Sequence, residues 1–156
     1  MSIEKSIKKQ VISQMAALCS RSEQCSPDIR KKIIAAGLTD EEAEEILKLL
    51  KKEKFIDDKR YAKAYVAEKF KFNHWGRIKI RYNMRTKGLS AEIIEAGLES
   101  LDEKKYIEIL LKTMKEKAKK SGGKSKFEKM GQIIRFAQSR GFEPELIHRY
   151  INEVVK

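Results

Sequence analysis

Three glycines constrain this chain more than any other feature. Gly37, Gly88 and Gly141 stand 51 and 53 residues apart, and each is followed by a large apolar residue, Leu38, Leu89 or Phe142. Four positions past each glycine stands Glu41, Glu92 or Glu145, and ten past stands Leu47, Leu98 or Ile151. Eight before stands Ile29, Ile80 or Ile133, and four before stands Ile33, Met84 or Ala137. Agreement at several offsets predicts a tandem repeat in which one helix ends at a glycine in left-handed geometry and another starts directly after it.

The rest of the chain reads as helix. Apolar residues recur with a 3.6-residue period, no segment sustains a period of two, and Lys, Glu, Ala, Leu and Ile dominate. Nine helices are expected. The first runs from Ile3 to Leu18 on a stripe of Ile3, Ile7, Val11, Met15 and Leu18. Ser26 is the expected cap of the second, with Pro27 at its first position, and it runs to Ala36. Thr39 and Glu42 have capping-box spacing for the third, which buries Ile46, Leu47 and Leu50. Asp57 or Asp58 caps the fourth, on a stripe of Tyr61, Tyr65 or Ala64, Glu68 or Ala67, and Phe72. The fifth spans Gly76 to Lys87, Ser90 caps the sixth with Ile93, Ile94 and Leu98, and Asp102 opens the seventh. That helix carries Tyr106, Ile107, Leu110, Leu111 and Met114 and frays near Ser121. The eighth spans Lys126 to Arg140, and the ninth spans Pro144 to Val155.

Grouped by their glycines, these helices make an all-α, elongated array of three tandem three-helix units. The expected units are 1–56, 57–101 and 102–156, the last with a Lys/Gly-rich internal linker over 117–126. A unit of this size buries little surface alone, so stacking against a neighbour must supply part of its stability.

Composition narrows the function. No apolar run approaches the ~20 residues of a membrane span. Met1–Val11 has no apolar centre of the kind a signal peptide needs. Two cysteines, Cys19 and Cys25, do not build a disulfide scaffold. The expected location is cytoplasmic. Lys plus Arg is 35 against 23 Asp plus Glu, a net charge of +12 on 156 residues. Such a charge favours a polyanionic partner, nucleic acid first, over a merely solubilising surface.

No active site is evident. His74 and His148 fall in different units, and neither has an acidic or thiol partner at zinc-ligand spacing. Gly122-Gly123-Lys124-Ser125 imitates the end of a phosphate loop, but Ala118 stands where the first glycine belongs and no strand precedes it. Asp57 and Asp58 are adjacent, so on a helix they diverge by about 100°. Helix capping accounts for one, and an ion pair with Lys59, Arg60 or a neighbouring helix for the other. No enzyme, cofactor or metal is expected.

The positive charge is unevenly placed. From Lys69 to Gly88 there are seven basic residues and no acid: Lys69, Lys71, Arg77, Lys79, Arg81, Arg85 and Lys87. Arg77, Arg81 and Arg85 recur every four positions and share a helix face, with Trp75, Tyr82 and Asn83 nearby. A cationic ridge beside aromatic rings suits phosphate contact with base stacking, and it suits an acidic protein groove equally. A second stretch, Lys112, Lys115, Lys117, Lys119, Lys120, Lys124 and Lys126, has only Glu116 against it and no aromatics, which implies diffuse attraction. Repeated helix-turn-helix reading of duplex DNA is disfavoured, because the third helix opens on Asp40, Glu41, Glu42, Glu44 and Glu45, which repel phosphate.

Phe55-Ile56-Asp57-Asp58-Lys59-Arg60-Tyr61-Ala62, then Tyr65 and Gly76-Arg77-Ile78-Lys79-Ile80, resembles the central signature of the RecX family. Lys87-Gly88-Leu89-Ser90 with Ile93, Ile94 and Leu98 continues it. Arg21-Ser22, Ser26, Ile29 and Gly37-Leu38 match in the first unit, and Ile133, Phe136, Arg140-Gly141-Phe142 and Ile147 in the last, so the resemblance covers about residues 10 to 155. The chain departs from the family at Pro27-Asp28-Ile29, where a Glu-Leu pair is frequent, and in its lysine-rich 112–126 stretch.

The resemblance implies three tandem three-helix repeats lying in the groove of a RecA–single-stranded DNA filament. It implies a monomeric, non-enzymatic modulator, most often an inhibitor, of RecA ATP hydrolysis, strand exchange and co-protease action, able also to touch single- or double-stranded DNA directly. The expected nucleoprotein-binding residues are Lys69, Lys71, Trp75, Arg77, Lys79, Arg81, Arg85, Lys87, Lys119, Lys120 and Lys124. Gly37, Asp57, Asp58, Arg60, Tyr61, Gly76, Gly88, Gly141 and Phe142 are expected to be structural. The alternative is a nucleic-acid-binding protein without sequence preference that acts independently of RecA.

Overall fold

The computed structural model describes residues 3–155, with side chains described from Lys5 onward. Met1, Ser2 and Lys156, at the ends of the first and third expected units, and the Ile3 side chain lie outside the described residues. The described residues form nine helices and no strand: α1 Ile3–Arg21, α2 Ser26–Ala35, α3 Asp40–Lys52, α4 Asp58–Asn73, α5 Arg77–Thr86, α6 Ala91–Leu98, α7 Glu103–Lys119, α8 Lys126–Ser139 and α9 Pro144–Val154.

The glycine turns are alike in all three units. Gly37, Gly88 and Gly141 adopt φ of 97°, 96° and 94°. In the last two, the N–H of the following residue returns to the last helical turn, Leu89 to the Met84 carbonyl and Phe142 to that of Ala137. The expected side-chain caps of Thr39, Ser90 and Asp102 are present, Thr39 with Glu42 as a reciprocal box. Each such cap stabilises its helix by about 1 kcal/mol.

Two local expectations are corrected. Ser26 is not the cap of α2 but its first residue, and the preceding Cys25 makes no side-chain cap bond. The missing acceptor comes from another unit: Asp58 takes the Ser26 N–H at 2.7 Å and its hydroxyl at 2.5 Å. In α4 the buried face is Tyr61, Ala62, Val66 and Phe70, while Phe72 is 73 % exposed. A stripe through Phe72 drifts off this face, because Phe70 lies at the i+4 step from Val66 and Phe72 points about 200° from it. The expected 117–126 linker also shrinks, since α7 continues through Lys119 and α8 starts at Lys126.

The core is divided unevenly. Val11, Ile29, Ile33, Leu38, Ala43, Ile46, Leu47, Leu50 and Ile56 form one cluster within the first unit. Val11 is the single fully buried described side chain of α1, and Ile7, on the expected stripe, is exposed. The second and third units share one continuous cluster. At its centre the Tyr106 ring lies 5.6 Å from Phe70 and 5.4 Å from Phe142, so side chains of α4, α7 and the last glycine turn meet in one aromatic stack. Such pairs contribute about 0.5–1.5 kcal/mol beyond their buried area. The first unit reaches this cluster through Cys25.

Candidate nucleoprotein interface

The basic stretch runs from α4 into α5, and its first arginine is consumed where the second unit meets the third. The N–H groups of Gly76 and Ile78 donate to the carbonyls of Arg140 and Gly141 at 2.7 and 3.0 Å. The N–H of Arg77 donates to the Tyr106 hydroxyl at 2.9 Å. Unpaired donors at the start of α5 are thus met by unpaired carbonyls at the end of α8. A Cβ at Gly76 would collide with the Gly141 backbone, and one at Gly141 with Lys79, so both glycines are needed for close approach.

Arg77 is correspondingly withdrawn from the surface. Its side chain is 18 % exposed and pairs with Glu143 at 2.7 Å and with Glu103, while the guanidinium lies 3.8 Å from the Tyr106 ring centre. Burial opposes its charge, but the two carboxylates outweigh it and its pKa is raised. Tyr106 is buried and donates to Glu143, and both effects push its pKa up. Arg77 therefore joins units rather than forming a free ridge with Arg81 and Arg85.

Glu143 is the functional partner that sequence reasoning missed. It stands two positions past its glycine, where the other units have the capping residues Thr39 and Ser90. Glu143 makes no cap bond to α9 and turns instead to Arg77 and Tyr106. An acid replacing a hydroxyl at a repeated position was the available signal.

Two further expected binding cations are engaged. Arg81 pairs with Glu95 at 2.7 Å, which raises its pKa against the effect of burial. Lys87 reaches into the first unit, 3.0 Å from Asp28. Burial disfavours the Lys87 charge, yet Asp28 and Tyr61 raise its pKa overall. Gly88 lies beside Pro27, so this turn docks on the start of α2 as the Gly141 turn docks on the start of α5.

The acidic signature serves the same junction. Asp57 caps α4 by accepting the N–H groups of Lys59 and Arg60, both at 3.1 Å. Asp58 holds Ser26, Arg60 pairs with Glu23 at 2.5 Å, and Tyr61 is buried, which pushes its pKa up to about 12. The start of its own helix thus occupies Asp57, and the start of a neighbouring helix occupies Asp58.

Lys69, Lys71, Lys79 and Arg85 make no ion pair among the described residues. They sit among aromatic rings: Lys69 lies over Tyr65 and Trp75, Lys79 over Trp75 at 4.6 Å, and Lys71 over the exposed Phe72. Ile78 and Tyr82, one helical turn apart on α5, are exposed beside Arg85, Tyr82 by 64 %. Cations flanking accessible rings are able to hold phosphates and stack bases, or to receive an acidic protein edge.

In the third unit Lys119 ends α7, and Lys120 and Lys124 stand in the short loop before α8. All three are exposed, near a Phe127 that is 87 % exposed. In the first unit the acidic start of α3 is partly neutralised, with Arg30 on Asp40 and Glu44, and Lys8 on Glu45. Among the described residues no cluster of His, Cys, Asp and Glu is arranged to hold a metal, and no helix is long and apolar enough to cross a membrane.

The family model described as RecX, second three-helix domain, matches residues 57–98. The chain is 27% identical over 137 residues to a Clostridium botulinum protein named Regulatory protein RecX, covering 86% of this chain and 64% of that one. A Clostridium tetani protein of the same name is 28% identical, with 86% and 62% covered. The chain thus spans a little under two thirds of these relatives. The structure also resembles the crystal structure of RecX from Lactobacillus salivarius, with a TM-score of 0.88 and 21% identity over 96% of this chain and 97% of that one. A second crystal structure, of a regulatory protein RecX, matches with a TM-score of 0.84 and 22% identity over 94% of this chain and 72% of that one.

Proposed function

As the chain belongs to the RecX family, we propose that it is a non-enzymatic regulator of the RecA recombinase, acting in recombination and DNA repair by seating its basic middle unit in the groove of a RecA–single-stranded DNA filament. One observation carries the reading. The family match falls on the unit that carries Lys69, Lys71, Lys79 and Arg85, which make no ion pair among the described residues, beside exposed Tyr82. Arg77, Arg81 and Lys87 brace that unit internally and against its neighbours. The exposed Lys119, Lys120 and Lys124 extend the positive surface toward the third unit. A groove holding both phosphate and protein suits this mixed surface better than bare DNA does. A rigid inset there obstructs the subunit rearrangements of ATP hydrolysis, so inhibition of hydrolysis, strand exchange and co-protease action is the expected outcome. A cytoplasmic monomer fits the role.

Co-sedimentation with RecA–single-stranded DNA filaments, alongside RecA ATPase measurement, tests it. The expected result is binding to the filament well above binding to either component, with hydrolysis lowered at near-stoichiometric protein. Equal affinity for bare DNA and filament, with unchanged hydrolysis, would replace it with the RecA-independent nucleic-acid-binding alternative.

A further inference from the structure

The two junctions between units are built alike but secured differently. In each, the glycine turn of one unit meets the start of the middle helix of the unit before it. The N–H of the first residue of that helix, Ser26 in α2 or Arg77 in α5, donates to a side chain of the following unit, Asp58 or Tyr106. The second junction adds two inter-unit backbone hydrogen bonds and an aromatic stack inside a shared core. At the first junction, the first-unit core stays separate and one fully buried side chain, Cys25, crosses over. Apart from the contact of Gly88 with Pro27, what remains is polar: Asp58 on Ser26, Lys87–Asp28, and Arg60 on Glu23 and on the carbonyls of Lys54 and Phe55. Each member of those two ion pairs keeps between 29% and 43% of its side chain exposed.

We infer that the first unit is an arm, pivoting where Cys25 and Ser26 meet the second unit, closed by the Lys87–Asp28 and Arg60–Glu23 latches and released by a polyanion that competes for those two cations. Partly exposed ion pairs are weak and screened by salt, each contributing about 0–1 kcal/mol. A buried aromatic core is insensitive to salt. A phosphate chain offers Lys87 and Arg60 the same charge that Asp28 and Glu23 offer, with many charges in series. The acidic carboxylates left behind are then repelled from the phosphates, which favours the open arm. Salt opening rests on the junction alone, whereas opening by a polyanion rests also on the proposed binding function.

Energy transfer in the full chain tests this. With Cys19→Ser and buried Cys25 retained, dyes are placed on Lys48→Cys and Lys112→Cys to span the first and third units. Lys63→Cys with Lys112→Cys is the control within the second and third. Raising salt from about 0.01 M to about 1 M contracts the screening length from about 30 Å to about 3 Å. The spanning pair should lose transfer over that range and the control should not. At low salt a single-stranded oligothymidylate should produce the same loss. Lys87→Met, checked for native helix content by circular dichroism, should start open and respond less, and Asp28→Asn should behave likewise. Constant transfer across salt, with both variants like the parent, would overturn the arm. Salt opening with no response to bound oligonucleotide, binding being followed by anisotropy, would overturn the polyanion as the releasing ligand. An oligonucleotide that does not bind leaves salt opening to establish the arm and counts against the binding function.

Discussion

Asp58 accepts the backbone N–H of Ser26 at 2.7 Å, so the first residue of α4 caps the first residue of α2 across a unit boundary. The adjacent Asp57 caps α4 itself. Two neighbouring acids thus do the same chemical work on two different helices. Replacing either with Ala should cost about 0.5–2 kcal/mol of stability, the usual range for a lost N-cap. The consequences differ in kind. Urea unfolding of Asp57→Ala should show loss within the second unit, whereas Asp58→Ala should loosen the first unit from the second, seen as faster proteolysis between residues 22 and 25. Identical proteolysis in the two variants would contradict the assignment.

Gly37 and Gly141 share a backbone conformation but not an environment. A side chain at either must adopt left-handed geometry, a cost of about 1–2 kcal/mol. Around Gly37 nothing lies within 4 Å of an added Cβ, whereas at Gly141 the Cβ meets the backbone of Lys79. Gly37→Ala should therefore lower stability by that modest amount, and Gly141→Ala by clearly more. Parallel thermal melts of the two variants measure the difference, and equal losses would count against the close approach of Gly141 and Lys79.

Arg77 and Arg85 should separate cleanly by experiment. Arg77→Met leaves Glu143 in a partly buried site without its cation, and breaking such a pair costs up to about 3 kcal/mol. Arg85→Ala should change stability by no more than about 0.5 kcal/mol, as expected for a surface site. Its effect should fall on polyanion binding, where each lost phosphate contact lowers the logarithmic salt slope by about 1. Lys79→Ala should act likewise. Chemical denaturation and salt-dependent anisotropy distinguish the two classes.

The junction of the first and second units should be alkali-sensitive. Burial pushes the Cys25 thiol from its ordinary 9.0 up to about 11. The unfolded chain ionises first, so the stabilisation from this group is full below pH 9 and is lost as pH rises toward 11. Lys87 is also raised, above 10.5, so its contribution is full below that value and disappears at higher pH. Asp28, with Lys87 and Cys25 outweighing the effect of burial, is lowered from 3.8, so its contribution is present above that pH and fades in acid. Stability should be flat through neutrality and fall on both sides. In urea titrations against pH, Cys25→Ala should remove the earliest alkaline step and Lys87→Met the later one.

Much of the fold was legible because its signals are local. A glycine two residues before a Thr or Ser cap, with apolar residues at helical spacing on either side, is decided within about ten positions of chain. The turns at Gly37 and Gly88 and the helices on either side of them follow from that. Ser26 and Phe72 show where the same logic fails. Ser26 has the right residue type for a cap, but the acceptor that reaches it is 32 residues away. Phe72 is apolar and near the expected period, but the neighbouring α6 covers the face one step round.

The candidate interface was legible as charge and not as availability. The concentration of cations between Lys69 and Lys87 is a property of the sequence, as are the helices that carry them and the repeat that orders them. Which of those cations remain free is not. Arg77, Arg81 and Lys87 find Glu143, Glu95 and Asp28 at separations of 66, 14 and 59 residues, while Lys69, Lys71, Lys79 and Arg85 make no ion pair among the described residues. Helix formation depends on bonds four residues apart, which a sequence displays directly. Charge pairing across unit boundaries depends on how whole units stack, and only the tertiary structure decides that.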